Sequence, residues 1–351
     1  MVPNRSFWSG RSVCVTGGTG FLGWHIVQQL LELGARVRIC ALKPNEQHLI
    51  HAENRIEAFY GDIRDRAAVS HAVAGCSVIF HTAGLVAVWG KMLEQMWSIH
   101  VDGTDNVLQT ADKDARIVHT SSVTTVGGTR TGEILHERTP FNLEGTKLGY
   151  VRAKRAAELA VIKAANEGRN AVVTNPGYLV GPLDLELSLM GRLCIRFWKG
   201  RVPVIPPGGL NLADVRDVAI GHLLAAEHGV SGTRYILGGE NHLFSSFLRL
   251  MAEVSRYRPR MMPCVPWLFL ATTAVMAELR SKLTGREPYP SIGQVRANRY
   301  YWYATSERAI SDLGYQYRPL LESLNDTYRW HMSQAPIHPR GLNRWLMRPP
   351  A

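Results

Sequence analysis

The chain has 351 residues, 46% of them hydrophobic and 20% charged, with a net charge of +11 and five cysteines. That length buries a large core, the odd and scattered cysteines fit reduced thiols rather than a disulfide framework, and no apolar stretch approaches the ~20 residues that span a bilayer. The positive excess is C-terminal, in 255–300 and 334–351, and no nucleic-acid module accompanies it, so nucleic acid is not an expected partner.

The N-terminal ten residues lack the apolar core of a signal peptide, which points to a cytosolic chain. A strand is predicted over 12–15, followed at once by Thr16-Gly17-Gly18-Thr19-Gly20-Phe21-Leu22-Gly23 and a helix over 22–33. Glycines at such a turn let backbone approach a pyrophosphate at a helix N-terminus, where free N–H groups and the dipole favour an anion. Further strands are predicted at 36–41, 56–60, 77–81, 116–120 and 170–175, with helices at 93–111 and 151–167, an alternation that means parallel strands and crossover helices. Cys14 and Cys40 fall in strands and read as small buried hydrophobes. His81, His100 and His119 lie on three separate segments, so no metal site is expected.

Tyr150 and Lys154 are four residues apart and share one helix face, where a cation can hold a phenol close to its anionic form. Either motif alone is weak; the ordered pair of glycine turn and YxxxK proposes nicotinamide redox work. Beyond 182 the pattern loosens into a helix over 185–198, a Pro/Gly-rich loop over 203–209, a strand over 233–237 and a helix over 244–254. The apolar run 266–277 reads as a buried cap helix in preference to a membrane contact. The resulting division is a dinucleotide-binding domain over 1–182, a substrate lobe over 183–333 with some segments returning to the first domain, and a basic tail over 334–351.

These residues resemble the extended short-chain dehydrogenase/reductase family over nearly the whole chain. Besides the two motifs above, the resemblance rests on Gly61-Asp62-Ile63, His81-Thr82-Ala83-Gly84, Thr120-Ser121-Ser122, Asn175-Pro176-Gly177 to Gly181-Pro182, and Thr305-Ser306 to Leu313-Gly314-Tyr315. Within the family, Leu212 to Val218 and Tyr235 to Asn241 fit best the branch similar to dihydroflavonol reductases and 3β-hydroxysteroid dehydrogenases, hopanoid-associated members included. The resemblance implies an α/β, Rossmann-type doubly wound parallel sheet with a smaller C-terminal substrate lobe. It places the cofactor on Gly17, Thr19, Gly20, Phe21, Leu22 and Gly23, on Asp62 and Ile63 at the adenine, on Thr82, Ala83 and Gly84, and on Thr120, Tyr150, Lys154, Pro176, Gly177 and Leu179. It assigns Ser122 to the substrate carbonyl, Tyr150 to proton transfer and Lys154 to the nicotinamide ribose. Ser121 is the alternative serine, with the motif register preferring Ser122.

Two departures from the family pattern stand out. His100 replaces the asparagine that helps route a proton from the active-site lysine, and it reads equally as an altered relay or as a packed helix residue. Ala41 replaces the acid that NAD-preferring relatives set against the ribose 2′-OH, and Lys43 lies near enough in sequence to supply a cation, so NADP(H) is favoured over NAD(H). Trp89, Met92, Trp97, Tyr178, Leu179, Trp198 and the run 267–270 suggest an apolar pocket for a steroid-, polyprenoid- or flavonoid-like substrate. A nucleotide-sugar epimerase is the rival reading, weakened by Asn175 where many such enzymes carry arginine; a cofactor-binding protein with lapsed catalysis is the second rival. A homodimer and peripheral contact with a membrane complete the expected partners.

Overall fold

The computed structural model describes residues 1–45, 55–87, 90–255 and 262–334. Trp89, Arg256, Arg258, Arg260 and tail residues 335–351 lie outside the described residues. In chain order the strands are β1 (Ser12–Thr16), β2 (Arg36–Ala41), β3 (Ile56–Tyr60), β4 (Val78–His81), β5 (Arg116–Thr120), β6 (Ala171–Pro176), β7 (Tyr178–Val180), β8 (Gly209–Asp214), β9 (Arg234–Leu237), β10 (Glu240–Leu243) and β11 (Tyr301–Trp302). The helices are α1 (Arg5–Trp8), α2 (Phe21–Glu32), α3 (Arg66–Val73), α4 (Lys91–Thr110), α5 (Gly149–Asn166), α6 (Leu189–Trp198), α7 (Val215–His228), α8 (Phe244–Ser255), α9 (Trp267–Thr284), α10 (Ile292–Ala297), α11 (Glu307–Leu313) and α12 (Leu320–Gln334).

Seven strands form one parallel sheet in the order β3-β2-β1-β4-β5-β6-β9. Its inner strands are buried on both faces, which is why β1, β4, β5 and β6 read as near-continuous apolar or β-branched runs. Helices α2 and α7 cover one face over Val15, Ile26, Val27, Leu223 and Leu224. Helices α3, α4 and α5 cover the other over Val69, Val73, Val107 and Val161, with Cys14 and Cys40 packed among them. The strand order reverses beside β1, so the ends of β1, β4 and β5 open into one crevice, the place where doubly wound sheets bind ligands.

A second, four-stranded sheet is built on β8, which pairs parallel with β7 and β11 and antiparallel with β10. The sequence reading found none of them: β7, β10 and β11 run only 3, 4 and 2 residues, and β8 interrupts its apolar residues with Asn211 and Asp214. The chain then returns to the large sheet through α7 and β9. At the β8–α7 junction Asp214 caps the helix by accepting from the Arg216 amide at 2.8 Å, and Arg318 grips Asp217 at 2.8 Å, tying the segment before α12 to α7.

Two expectations are corrected here. Helix α9 is not a buried cap: only Leu270, Ala274 and Ser281 are buried, and the rest of its apolar side chains divide between contact with α10 and solvent. Trp198 does not line a pocket; it is fully buried between Phe197, Phe247 and Met251, and its indole donates to the Met251 carbonyl at 3.1 Å.

Candidate active site

The glycine turn joins β1 to α2 as its spacing predicts. Gly17 adopts φ of +71°, and a Cβ there would come within 2.8 Å of the Ala83 backbone after β4. A Cβ on Gly23 would stand 2.2 Å from the Gly17 carbonyl, so α2 can lie this close to the turn only with glycine at that position. Gly20 is the N-cap and brings no capping side chain. The first-turn N–H groups of α2 therefore suit an anion, and this cradle fits the pyrophosphate of a dinucleotide. Thr82 is tied to the end of β1, its hydroxyl donating to the Thr16 carbonyl at 2.6 Å, which sets the Thr82–Ala83–Gly84 loop beside the glycine turn.

Ser122 follows β5 and caps a single 3₁₀ turn, Val123–Thr125, accepting from the Thr124 amide at 3.2 Å. Ser122 stands close enough to the Tyr150 hydroxyl to act on its pKa, whereas the Ser121 hydroxyl is spent on Glu158 Oε2 at 2.7 Å. Burial, opposed only by the neighbouring Ser122, pushes the Tyr150 phenol up to about 12. The expected lowering by Lys154 is absent from this arrangement. Lys154 is itself buried, its Nζ donates to the Thr120 carbonyl at 2.7 Å, and desolvation brings its ammonium down to about 8 against the opposing pull of Glu158.

His100 lies on α4 close to this group. A Cβ on Gly84 would fall 2.7 Å from the His100 ring and 3.5 Å from Lys154 Nζ, so glycine lets the loop approach both. Nε2 of His100 donates to the Leu85 carbonyl at 2.8 Å, and burial, reinforced by Lys154, lowers its pKa to about 2. Burial thus keeps the ring neutral.

The remaining predicted residues are placed unevenly. Ile63 is buried against Gly103, and its carbonyl accepts from Asn106 at 3.0 Å. Asp62 is engaged by Arg64, which holds its carboxyl below the usual range. Lys43 is exposed and pairs with Glu186 at 3.3 Å rather than standing free at the end of β2. Pro176 ends β6, and Gly177 packs so tightly on Asn211 that a Cβ would meet its Oδ1 at 2.4 Å, with Leu179 just beyond in β7. These residues join the two sheets. The structure thus gathers the glycine turn, Thr82 to Gly84, Thr120, Ser122, Tyr150 and Lys154, and leaves Lys43 at the surface.

Sequence reasoning missed a buried ionic network beneath the site. Glu158, one turn after Lys154, is fully buried; Oε2 accepts from Ser121, Thr125 and Asn175 Nδ2, and Oε1 from Arg155 and Arg234 at 2.8 and 3.2 Å. Asn175 also donates to the Ser122 carbonyl at 3.1 Å, so the network holds the backbone of the serine. The i,i+4 spacing of Lys154 and Glu158 was the available signal. His81 and His119 lie side by side because parallel β4 and β5 align their ends, with ring centroids 5.3 Å apart, and His222 on α7 reaches the hydroxyls of Thr120 and Thr174 at 3.0 and 2.9 Å. No group of three His, Cys, Asp or Glu residues suited to hold a metal occurs among the described residues.

The family described as the NAD dependent epimerase/dehydratase family matches residues 13–238. A Synechocystis protein provisionally named dihydroflavonol 4-reductase is 33% identical over 341 residues, covering 93% of this chain and 97% of its own length. Sterol demethylase protein B of Methylococcus capsulatus is 34% identical over 251 residues, 70% of this chain and 76% of that one. The crystal structure of gox2253 superposes with a TM-score of 0.81 at 28% identity, over 94% of this chain and 100% of that one.

Proposed function

The chain belongs to the NAD-dependent epimerase/dehydratase family, and from that premise we propose that it interconverts a hydroxyl and a ketone on a hydrophobic, ring-bearing substrate. Its reductase-named relatives mark it as an oxidoreductase. The observation that carries the finer reading is Ser122 set beside the Tyr150 hydroxyl, with Lys154 one helical turn further along α5 and bonded to Thr120. A bound nicotinamide dinucleotide supplies the hydride in reduction and accepts it in oxidation. In the reductive direction Ser122 donates to the substrate carbonyl oxygen and Tyr150 delivers the proton to it, a positioned transfer typically worth ~10²–10⁴-fold. Lys154 holds the ribose. Ser121, committed to Glu158, takes no part in substrate binding.

An apolar substrate is supported by Leu93 and Trp97, exposed on α4, which with Met96, Gly149 and Arg152 line a cleft of about 190 Å³ between α4 and the start of α5. The names of the sterol- and flavonol-related proteins point the same way. NADP(H) is the preferred cofactor on this reading, through the absence of an acid at Ala41 and the proximity of Lys43. The test is a screen of steroid, polyprenoid and flavonoid ketones and alcohols beside nucleotide sugars, followed by cofactor absorbance. Net cofactor oxidation or reduction with an apolar compound is expected. Conversion of a nucleotide sugar with no net change in cofactor absorbance would instead make the enzyme an epimerase.

A further inference from the structure

Helix α9 carries apolar residues on two sides. Leu270 and Ala274 face α10 and pack with Val295, Val265 and Ile292. On the other side Leu268, Val275, Met276, Leu279 and Leu283 recur at helical spacing as one stripe, with relative exposures of 69%, 48%, 71%, 57% and 89%. Exposed leucines scattered singly need no explanation; a continuous stripe along one helix does.

Three features bear on what covers it. Thr272, the one polar residue inside the stripe, returns its hydroxyl to the Phe269 carbonyl at 2.8 Å, and Thr284 at the helix end returns its own to Arg280 at 2.9 Å. The polar hydrogens of both are already spent, as a non-aqueous surrounding requires. Exposed Arg280, Lys282 and Arg286 flank the C-terminal half of the stripe and form no ion pair among the described residues, while Glu278 is occupied by the Ile292 amide at 2.9 Å and Glu287 stands beyond the helix. No described helix is long and apolar enough to cross a membrane. An apolar face of this width bordered by unpaired cations matches a helix lying in the plane of an anionic lipid surface. A second copy fits less well, since it would bring together two chains of net charge +11 through their basic flanks.

We propose that α9 is a membrane-docking element that lies in the headgroup–acyl boundary of an anionic leaflet, burying the Leu268–Leu283 stripe and setting Arg280, Lys282 and Arg286 against lipid phosphates. The inference does not depend on which reaction the site performs. Below α9, Tyr289 is stacked under the Arg196 guanidinium of α6 at 3.7 Å, so the docking element is fastened to the lobe whose apolar core also holds Leu148 and Val151 on either side of Tyr150. A lipid-borne substrate would then meet the enzyme at the surface where it resides.

The full chain is sedimented with vesicles of phosphatidylcholine alone and of phosphatidylcholine with phosphatidylserine, at low and high salt. Binding is expected with phosphatidylserine and should fall as salt rises. Leu279→Glu with Leu283→Glu should weaken it by about tenfold or more, the change that loss of one buried leucine carries. Val230→Glu with Ile310→Glu adds the same charge at exposed apolar positions elsewhere and should leave binding near the parent value. Equal losses in the two double variants, or no binding to the anionic vesicles at low salt, would overturn the proposal. So would a dimer, seen by sedimentation velocity without lipid, that Leu279→Glu with Leu283→Glu dissociates.

Discussion

The imidazole of His100 stands edge-on to the ring of Tyr150, with centroids 5.7 Å apart and planes at 76°. A neutral ring fixed by the Leu85 carbonyl buttresses the phenol without adding charge to the site. Its substitution by asparagine, the residue usual in related enzymes, should therefore preserve cofactor binding and lower kcat/KM by less than the loss of Tyr150 does. An unaltered pH profile between about 5 and 7 is expected for both forms, because His100 does not titrate there.

Tyr150→Phe keeps the ring and removes the proton carrier. Turnover on the true substrate should drop by ~10²–10⁴-fold while cofactor affinity, measured by calorimetry, changes little. Near-normal turnover would remove Tyr150 from its assigned role.

Lys154 titrates at about 8, so its positive charge is present below that pH and fades above it. Reductive kcat/KM should accordingly bend downward as pH rises through about 8. Lys154→Arg, which stays charged, should abolish the bend even if the overall rate is lower. A bend that survives in that variant would assign the titration to another group.

The surface pair of Lys43 and Glu186 sets up a test of cofactor choice. NADPH should bind more tightly than NADH, and Glu186→Gln should widen the difference by freeing Lys43, whereas Lys43→Ala should narrow it. Exposed charges of this kind are worth ~0.2–1 kcal/mol, or up to about fivefold in affinity. A clear preference for NADH, or indifference of both variants, would sink the role of Lys43.

Four of the buried histidines, those around Lys154, make the fold acid-sensitive. Burial lowers His81 to about 3, His100 to about 2 and His222 to about 4, and puts His119 well below its ordinary value. Each is neutral when folded but takes a proton near pH 6.5 when unfolded, so the unfolded chain binds more protons and stability falls as pH drops below about 6.5. At pH 5 the loss should be about 2 kcal/mol for each such residue. Both ring nitrogens of His119 lack a partner among the described residues, so His119→Leu should flatten the dependence and cost little at pH 7. Urea unfolding at pH 5 and 7 reads both effects.

The large sheet and the two cofactor-site motifs were legible in the sequence because each depends on neighbours in the chain. Doubly buried strands must be continuously apolar, a glycine turn must precede its helix, and Tyr150 and Lys154 share a face through helical periodicity alone. What only the tertiary structure decided involves residues far apart. Glu158, Asn175 and Arg234 come from a helix and two strands, and their meeting commits the Ser121 hydroxyl and leaves Ser122 to Tyr150. The strands around β8 are too short for a periodic signature and exist because partners brought from elsewhere satisfy their backbones. Helix α9 shows the limit most plainly. Its composition is apolar on both sides, and whether a leucine is buried depends on what packs against it, which no local pattern records.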